Sequence, residues 1–115
     1  MRFEALEYSI AAIQSLRSPM EKLRTKDGDL YRQIRAAASS VSLNLAEGRR
    51  RIGKDRLQHW RIAAGSAEET RTALRLAVAW GDLVEADVRE ALGLIDRVLA
   101  IVWRLTFVHP PESCN

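Results

Sequence analysis

The sequence predicts an all-α protein, an antiparallel up-down-up-down four-helix bundle in a single domain over residues 1–115, and three observations predict it. Apolar residues recur at spacings of three and four along most of the chain, the mark of helices with one buried face. No alternating run and no hairpin dipeptide such as Asn-Gly competes with that pattern. The joints expected at residues 26–29, 48–53 and 81–83 are short, which makes successive helices antiparallel neighbours.

Phe3, Leu6, Ile10, Ile13 and Leu16 define one face of a first helix, which should end near Arg17. Ser18-Pro19-Met20-Glu21 spells a capping box with proline at the first helical position, so the spacing predicts a short helical turn from Pro19 to Thr25. Lys26-Asp27-Gly28-Asp29 reads as a turn, with Asp29 placed to cap the second helix. That helix carries Leu30, Ile34, Ala37, Val41 and Leu45 on one stripe. The small residues from Ala36 to Ser40 admit a close neighbour, and Gly48 is the expected stop. A third helix restarts near Lys54, with Leu57, Trp60, Ala64, Ala67, Leu74 and Val78 in heptad-like spacing, and ends at Trp80-Gly81. The fourth begins near Val84 and runs until Pro110-Pro111 forbid further turns.

The fourth helix carries two apolar stripes. Val88, Leu92, Ile95, Leu99 and Val102 form one; Leu94, Val98, Ile101, Leu105 and Val108 form the other. At about 100° per residue they point in different directions, which leaves two readings: a helix buried nearly all round, or a second stripe covered by another subunit. The second reading makes Leu94, Val98, Ile101, Trp103 and Leu105 an oligomer interface and the protein a homo-oligomer.

Composition sets limits. With 47% hydrophobic and 29% charged residues the chain has a soluble globular balance. Its sole cysteine, Cys114, has no partner for an internal disulfide, and no uncharged run reaches a membrane-spanning length. A cytoplasmic protein with no membrane association is expected.

Positive charge is concentrated between the second and third helices. From Glu47 to Arg61 there are six basic and two acidic residues, a net of +4, against +3 for the whole chain, so everything else sums to −1. Gly48-Arg49-Arg50-Arg51-Ile52-Gly53-Lys54-Asp55 matches a phosphate-binding P-loop in spacing until Asp55, where a hydroxyl should ligand magnesium; the stretch also follows a helix rather than a strand. His59 and His109 do not follow a glutamate by three, so no di-iron motif exists and no metal is expected. Glu68, Glu69 and Asp96 find no histidine, serine or cysteine to build a triad, and Glu68 is spaced to pair with Arg71. The reading is therefore of a non-enzyme with no cofactor and no small-molecule substrate. Arg49, Arg50, Arg51, Lys54, Arg56 and Arg61 instead suit the phosphates of a nucleic acid, bound with strong salt dependence. The alternative is an oligomeric protein–protein interaction module, its basic joint serving only solubility.

The blocks Gln33–Ala38, Ser40–Gly48 with its Asn-Leu-Ala-Glu-Gly, and Arg61–Glu69 with its Ala-Gly-Ser-Ala-Glu resemble the bacterial four-helix-bundle protein family. That family was first noticed as proteins encoded within intervening sequences of 23S ribosomal RNA genes. The resemblance covers Leu6 to Leu105 and implies a small bundle assembled as a homopentamer, with no assigned reaction. A related branch, the accessory variability determinant of diversity-generating retroelements, makes RNA or a reverse transcriptase the implied partner. Two departures stand out. Ser42 occupies a position where many members carry proline, and the joint is richer in arginine than the family pattern.

Overall fold

The computed structural model describes residues 2–107. Among them the chain forms five helices, α1 (Glu4–Ser15), α2 (Arg17–Lys26), α3 (Gly28–Arg49), α4 (Gly53–Ala79) and α5 (Glu85–Phe107). The bundle is thus all-α, but the four-helix expectation is corrected to five. Proline causes the difference. Pro19 has no N–H to give the carbonyl of Ser15, so one continuous helix through residues 4–26 would lose a bond. The chain instead closes α1 at Leu16, whose N–H bonds Ile13 O at 3.0 Å, and restarts at once, putting Pro19 in the first turn of α2 where no intrahelical donor is needed. Ser18 therefore lies inside α2 and caps nothing, and the short turn expected from Pro19 is a ten-residue helix.

Caps and stops shift similarly. Asp27, not Asp29, caps α3, its Oδ1 accepting from Leu30 N–H at 3.0 Å, while Asp29 pairs with Arg32. Gly48 is helical and buried rather than a stop. Gly81 does end α4's turn, at φ 84°, a backbone conformation that L side chains rarely adopt; it lets the N–H groups of Asp82 and Leu83 fold back on Ala77 O at 2.9 and 3.2 Å. The proline stop at Pro110-Pro111, together with Val108, His109 and Cys114, lies outside the described residues.

Helix α1 packs on α3 and α5, and α4 packs on α3 and α5, so these four close a ring while α2 lies chiefly along α3. Cross-links fix the directions. Ser9 with Ser42, Asn44 with His59, Arg71 with Asp96 and Tyr8 with Arg97 each join an ascending residue to a descending one. Leu23, Ile34, Leu45, Leu74, Val98 and Val102 are the large fully buried core residues.

On α5 the two stripes resolve into one. Val88, Ala91, Ile95, Val98, Val102 and Thr106 are buried in the chain's own core. Leu92 and Leu99 half-bury on one flank, and Leu94, Ile101 and Leu105 on the other. Counting about 100° per residue, these flanks sit some 60–100° either side of the buried line, so one wide face accounts for both patterns. Val98, 1% exposed, has no surface left for a neighbour and is removed from the expected interface. The homopentamer is withdrawn as well: Val98 lies in the core and Leu94, Ile101 and Leu105 half-bury against it, so the apolar surplus that motivated an assembly is largely taken up within the five-helix bundle.

One polar tie joins the turn regions. Lys22 Nζ donates to Asp87 Oδ2 at 2.7 Å, and the same oxygen accepts from Val84 N–H at 2.9 Å, linking α2 to the start of α5. Lys22 first, then the Val84 amide, holds the Asp87 carboxyl below the usual range. A lowered folded pKa favours the folded state above the ordinary aspartate value of about 4, and that contribution disappears as pH falls through the lowered value. Thermal melts of the native chain and Asp87→Asn across acid pH should therefore converge as pH drops, the native chain losing more; parallel profiles would contradict the tie.

Candidate nucleic-acid interface

The basic end of the bundle is organised around Trp60. This residue projects from the second turn of α4 and is 8% exposed, with its indole against Gly48 of α3. A Cβ at Gly48 would stand 2.6 Å from the indole Cδ1 and Nε1, so glycine is required there for space and not for its backbone angles. Trp60 Nε1 donates to Leu45 O at 3.3 Å, and the Phe3 ring packs on the indole at 5.6 Å between centroids.

Arg56 completes the arrangement. Its guanidinium lies 5.3 Å from the Trp60 ring centre and donates from Nε to Gly48 O at 3.0 Å and from Nη2 to Arg49 O at 2.9 Å. These carbonyls belong to the end of α3, where the helix dipole favours a cation; Gly48 O also accepts from Arg51 N–H at 3.1 Å, so Arg56 adds a second donor there. Arg56 is thus a cap for α3, a role that its place in a basic run conceals.

The six expected cations converge on this end but divide into two groups. Arg49 lies over Phe3 at 5.5 Å. Arg51 is clamped between Glu47 Oε2 at 2.8 Å and Asp55 Oδ2 at 2.6 Å. The hydrogen bonds to Glu47 and then Asp55 raise the Arg51 guanidinium above its ordinary value, and Arg51 in turn lowers Glu47. With Arg56, these side chains are engaged by the protein itself. Arg50, 79% exposed at its side chain, reaches Glu47 only at 3.8 Å. Lys54 and Arg61 are exposed on α4, seven residues apart and so on one helix face. The P-loop spacing has no loop to match: Gly48 and Arg49 are helical, and Gly48 faces an indole.

A polar seam between α3 and α4 went unread in the sequence. His59 Nδ1 and Asn44 Oδ1 lie 3.0 Å apart, Asn44 Nδ2 donates to Ser40 O at 3.0 Å, and Ser40 Oγ pairs with Ser66 Oγ at 2.8 Å. Ser42 pairs with Ser9 of α1 at 2.8 Å. The signal was present: Ser40 and Asn44 are four apart on the flank of α3's apolar stripe, and His59 and Ser66 are seven apart on α4. Arg71 pairs with Glu68 as its spacing predicts, at 2.7 Å, and also with Asp96 at 3.0 Å, and Asp96 foremost raises its guanidinium. Among the described residues no three of His, Cys, Asp and Glu gather to hold a metal ion, and no helix is long and apolar enough to cross a membrane. Of the expected interface residues on α5, Leu94, Ile101 and Leu105 are half-buried, while Trp103 is 64% exposed and stacks on Phe107 at 4.2 Å.

Two comparisons bear on the chain. The family model described as "23S rRNA-intervening sequence protein" matches residues 4–104. The fold is similar to the crystal structure of a protein of unknown function from the S23 ribosomal protein family of Bacteroides thetaiotaomicron, with a TM-score of 0.76 at 16% identity over 90% of this chain and 95% of that one. No curated protein matches. Neither match carries a link to diversity-generating retroelements.

Two substitution pairs test the packing. Gly48→Ala forces the indole off its seat and should lower the unfolding free energy by about 1–3 kcal/mol. Gly65→Ala, on an exposed helical turn with open space around the new methyl, should raise it by about 0.5–1 kcal/mol. Urea titration distinguishes them, and equal effects would refute the notch. In the same assay Arg56→Ala should cost roughly 1–2 kcal/mol through its lost bonds to the α3 carbonyls, whereas Lys54→Ala should change little.

Proposed function

The chain belongs to the 23S rRNA-intervening sequence protein family, and we propose that it is a non-catalytic bundle that binds RNA, or an RNA-containing complex, through its basic end. The observation that supports this reading is the split among the cations. Three are used in packing and capping, while Arg50, Lys54 and Arg61 point outward from the window that holds a net +4. Cations fixed by the protein set the field; exposed ones displace counterions from phosphates. Arg61 and Lys54 share one face of α4, and Arg50 stands in the joint just before it, so all three lie toward the same end of the bundle.

Such a surface binds with little sequence preference and with affinity that falls steeply with salt. Fluorescence anisotropy with labelled RNA at about 50 and about 200 mM salt should show that fall. In Arg50→Ala/Lys54→Ala/Arg61→Ala the log–log salt slope should shrink by about 2, near 0.7 for each lost contact to a single strand. An unchanged slope, or native protein that stays unbound at protein concentrations up to about 10⁻⁴ M at the lower salt, would overturn the proposal.

A further inference from the structure

We infer that the basic end takes unpaired nucleotides, their bases stacking on the exposed Trp103–Phe107 pair while Arg61 and Lys54 hold the phosphates; this rests on the RNA-binding reading above. Trp103 and Phe107 are 64% and 48% exposed, and their rings stack at 4.2 Å with planes 27° apart. Two adjacent aromatic rings left largely in water at the end of a helix cover no core and join none of the buried cluster.

Helix register places this pair beside the cations. The Arg71–Asp96 bond at 3.0 Å fixes how α4 and α5 face one another. The cleft lined by Arg75, Val78, Arg89 and Leu92 gives the same pairing one turn nearer the α4–α5 connection. From Asp96, seven residues forward on α5 reach Trp103 on the same face; from Arg71, seven residues back on α4 reach Ala64 on its same face. The indole therefore stands level with a small, half-buried alanine. One further turn brings Phe107 level with Arg61, and two more turns of α4 lead to Lys54. The ten residues from Ala64 to Lys54 span about 15 Å of helix, so ring, ring, cation and cation follow one another along one edge. Arg104, also exposed, lies beside the pair on the outer side of α5. The carboxylates nearest this edge, Glu68 and Asp96, share Arg71, which holds them about its guanidinium and leaves one negative charge there, two turns of α4 from Arg61.

This sequence of groups fits a single strand. Aromatic faces stack on bases of any identity, and adjacent cations follow the backbone. A duplex offers the phosphates but keeps its bases stacked on one another, and its deep major groove is closed to side chains. The exposed pair therefore adds affinity for unpaired RNA and none for duplex.

The test uses the full chain with a fluorescein-labelled single-stranded RNA of about 12 nucleotides, and the same RNA annealed to its complement. Trp103→Ala/Phe107→Ala should weaken single-strand binding by about tenfold or more and leave duplex binding and the salt slope unchanged, and Trp103→Phe should keep most of the affinity. Unchanged single-strand affinity, or equal loss for both RNAs, overturns the stacking role. If Lys54→Ala/Arg61→Ala still weakens binding in that case, the basic surface stands without it; if the native chain binds neither RNA, both readings fail. A smaller mass in light scattering with RNA affinity intact would make the pair a protein contact and also overturn the proposal. Should the double variant misfold, Trp80→Phe leaves buried Trp60 and exposed Trp103 as reporters. Single-stranded RNA should then quench the emission, and constant emission at saturation overturns the stack.

Discussion

The basic end depends on the notch at Gly48. Because no side chain stands there, the Trp60 indole reaches the backbone of α3, and α3 and α4 approach closely at the end where they are joined. The other contacts follow from that seat. Phe3 of the segment leading into α1 packs on the indole, Arg56 lies over it, and from that position the guanidinium reaches the last carbonyls of α3. Arg49 in turn lies over Phe3. A methyl group at residue 48 would displace the indole, and with it the surface on which these two arginines rest.

The same notch divides a run of positive charge that looks uniform in sequence. Arg56 sits partly shielded against an aromatic face and two carbonyls, where a planar, multiply donating cation gains more than a lysine ammonium would. Arg51 is shared by two carboxylates, Glu47 before it and Asp55 after it, each at helical spacing across the short joint. These pairs brace the turn between α3 and α4. Exposed pairs of this kind contribute little stability singly, but they draw Glu47 and Asp55 toward Arg51, so that Glu47 reaches the outward Arg50 only at 3.8 Å. The charge that remains for a polyanion is smaller than the count of arginines suggests, and it lies farther along α4.

Much of the fold was legible because it rests on local rules. The stripe of α3 and the stop at Gly81 follow from periodicity and backbone preference, and the structure has them, as it has Trp60, Ala67 and Leu74 of the α4 stripe. Helix α1 instead buries Ala5, Ser9 and Ala12, and Ile10 of its expected face is exposed, because small residues let α1 lie close to its neighbours. What failed was arithmetic between elements. Pro19 read alone suggests a helix start; in context it sets where α1 must break, which makes five helices of four. The stripes of α5 look like two because the list of apolar positions does not say how wide a face its neighbours cover. Gly48 read as a terminator because glycine's usual role is conformational, whereas its role here is steric and depends on a residue twelve positions away. The six cations were found by composition, but which of them the protein uses itself depends on three-dimensional partners.

The blocks that carry the family resemblance encode packing. Asn44 joins Ser40 to His59, Glu47 holds Arg51, Gly48 receives Trp60, Ser66 meets Ser40, and Glu68 pairs with Arg71. Each is accounted for by a contact within the chain, and none is left over to touch a ligand. Contacts of this kind fix how α3 meets α4, and the fold they hold is similar to that of the Bacteroides protein at 16% identity. The side chains proposed to meet a partner lie mostly elsewhere. Arg50, Lys54, Trp103 and Phe107 lie outside those blocks, and Arg61, the first residue of the last block, is exposed on the surface. These positions can change without disturbing the notch or the seam, so one shared bundle can carry different surfaces.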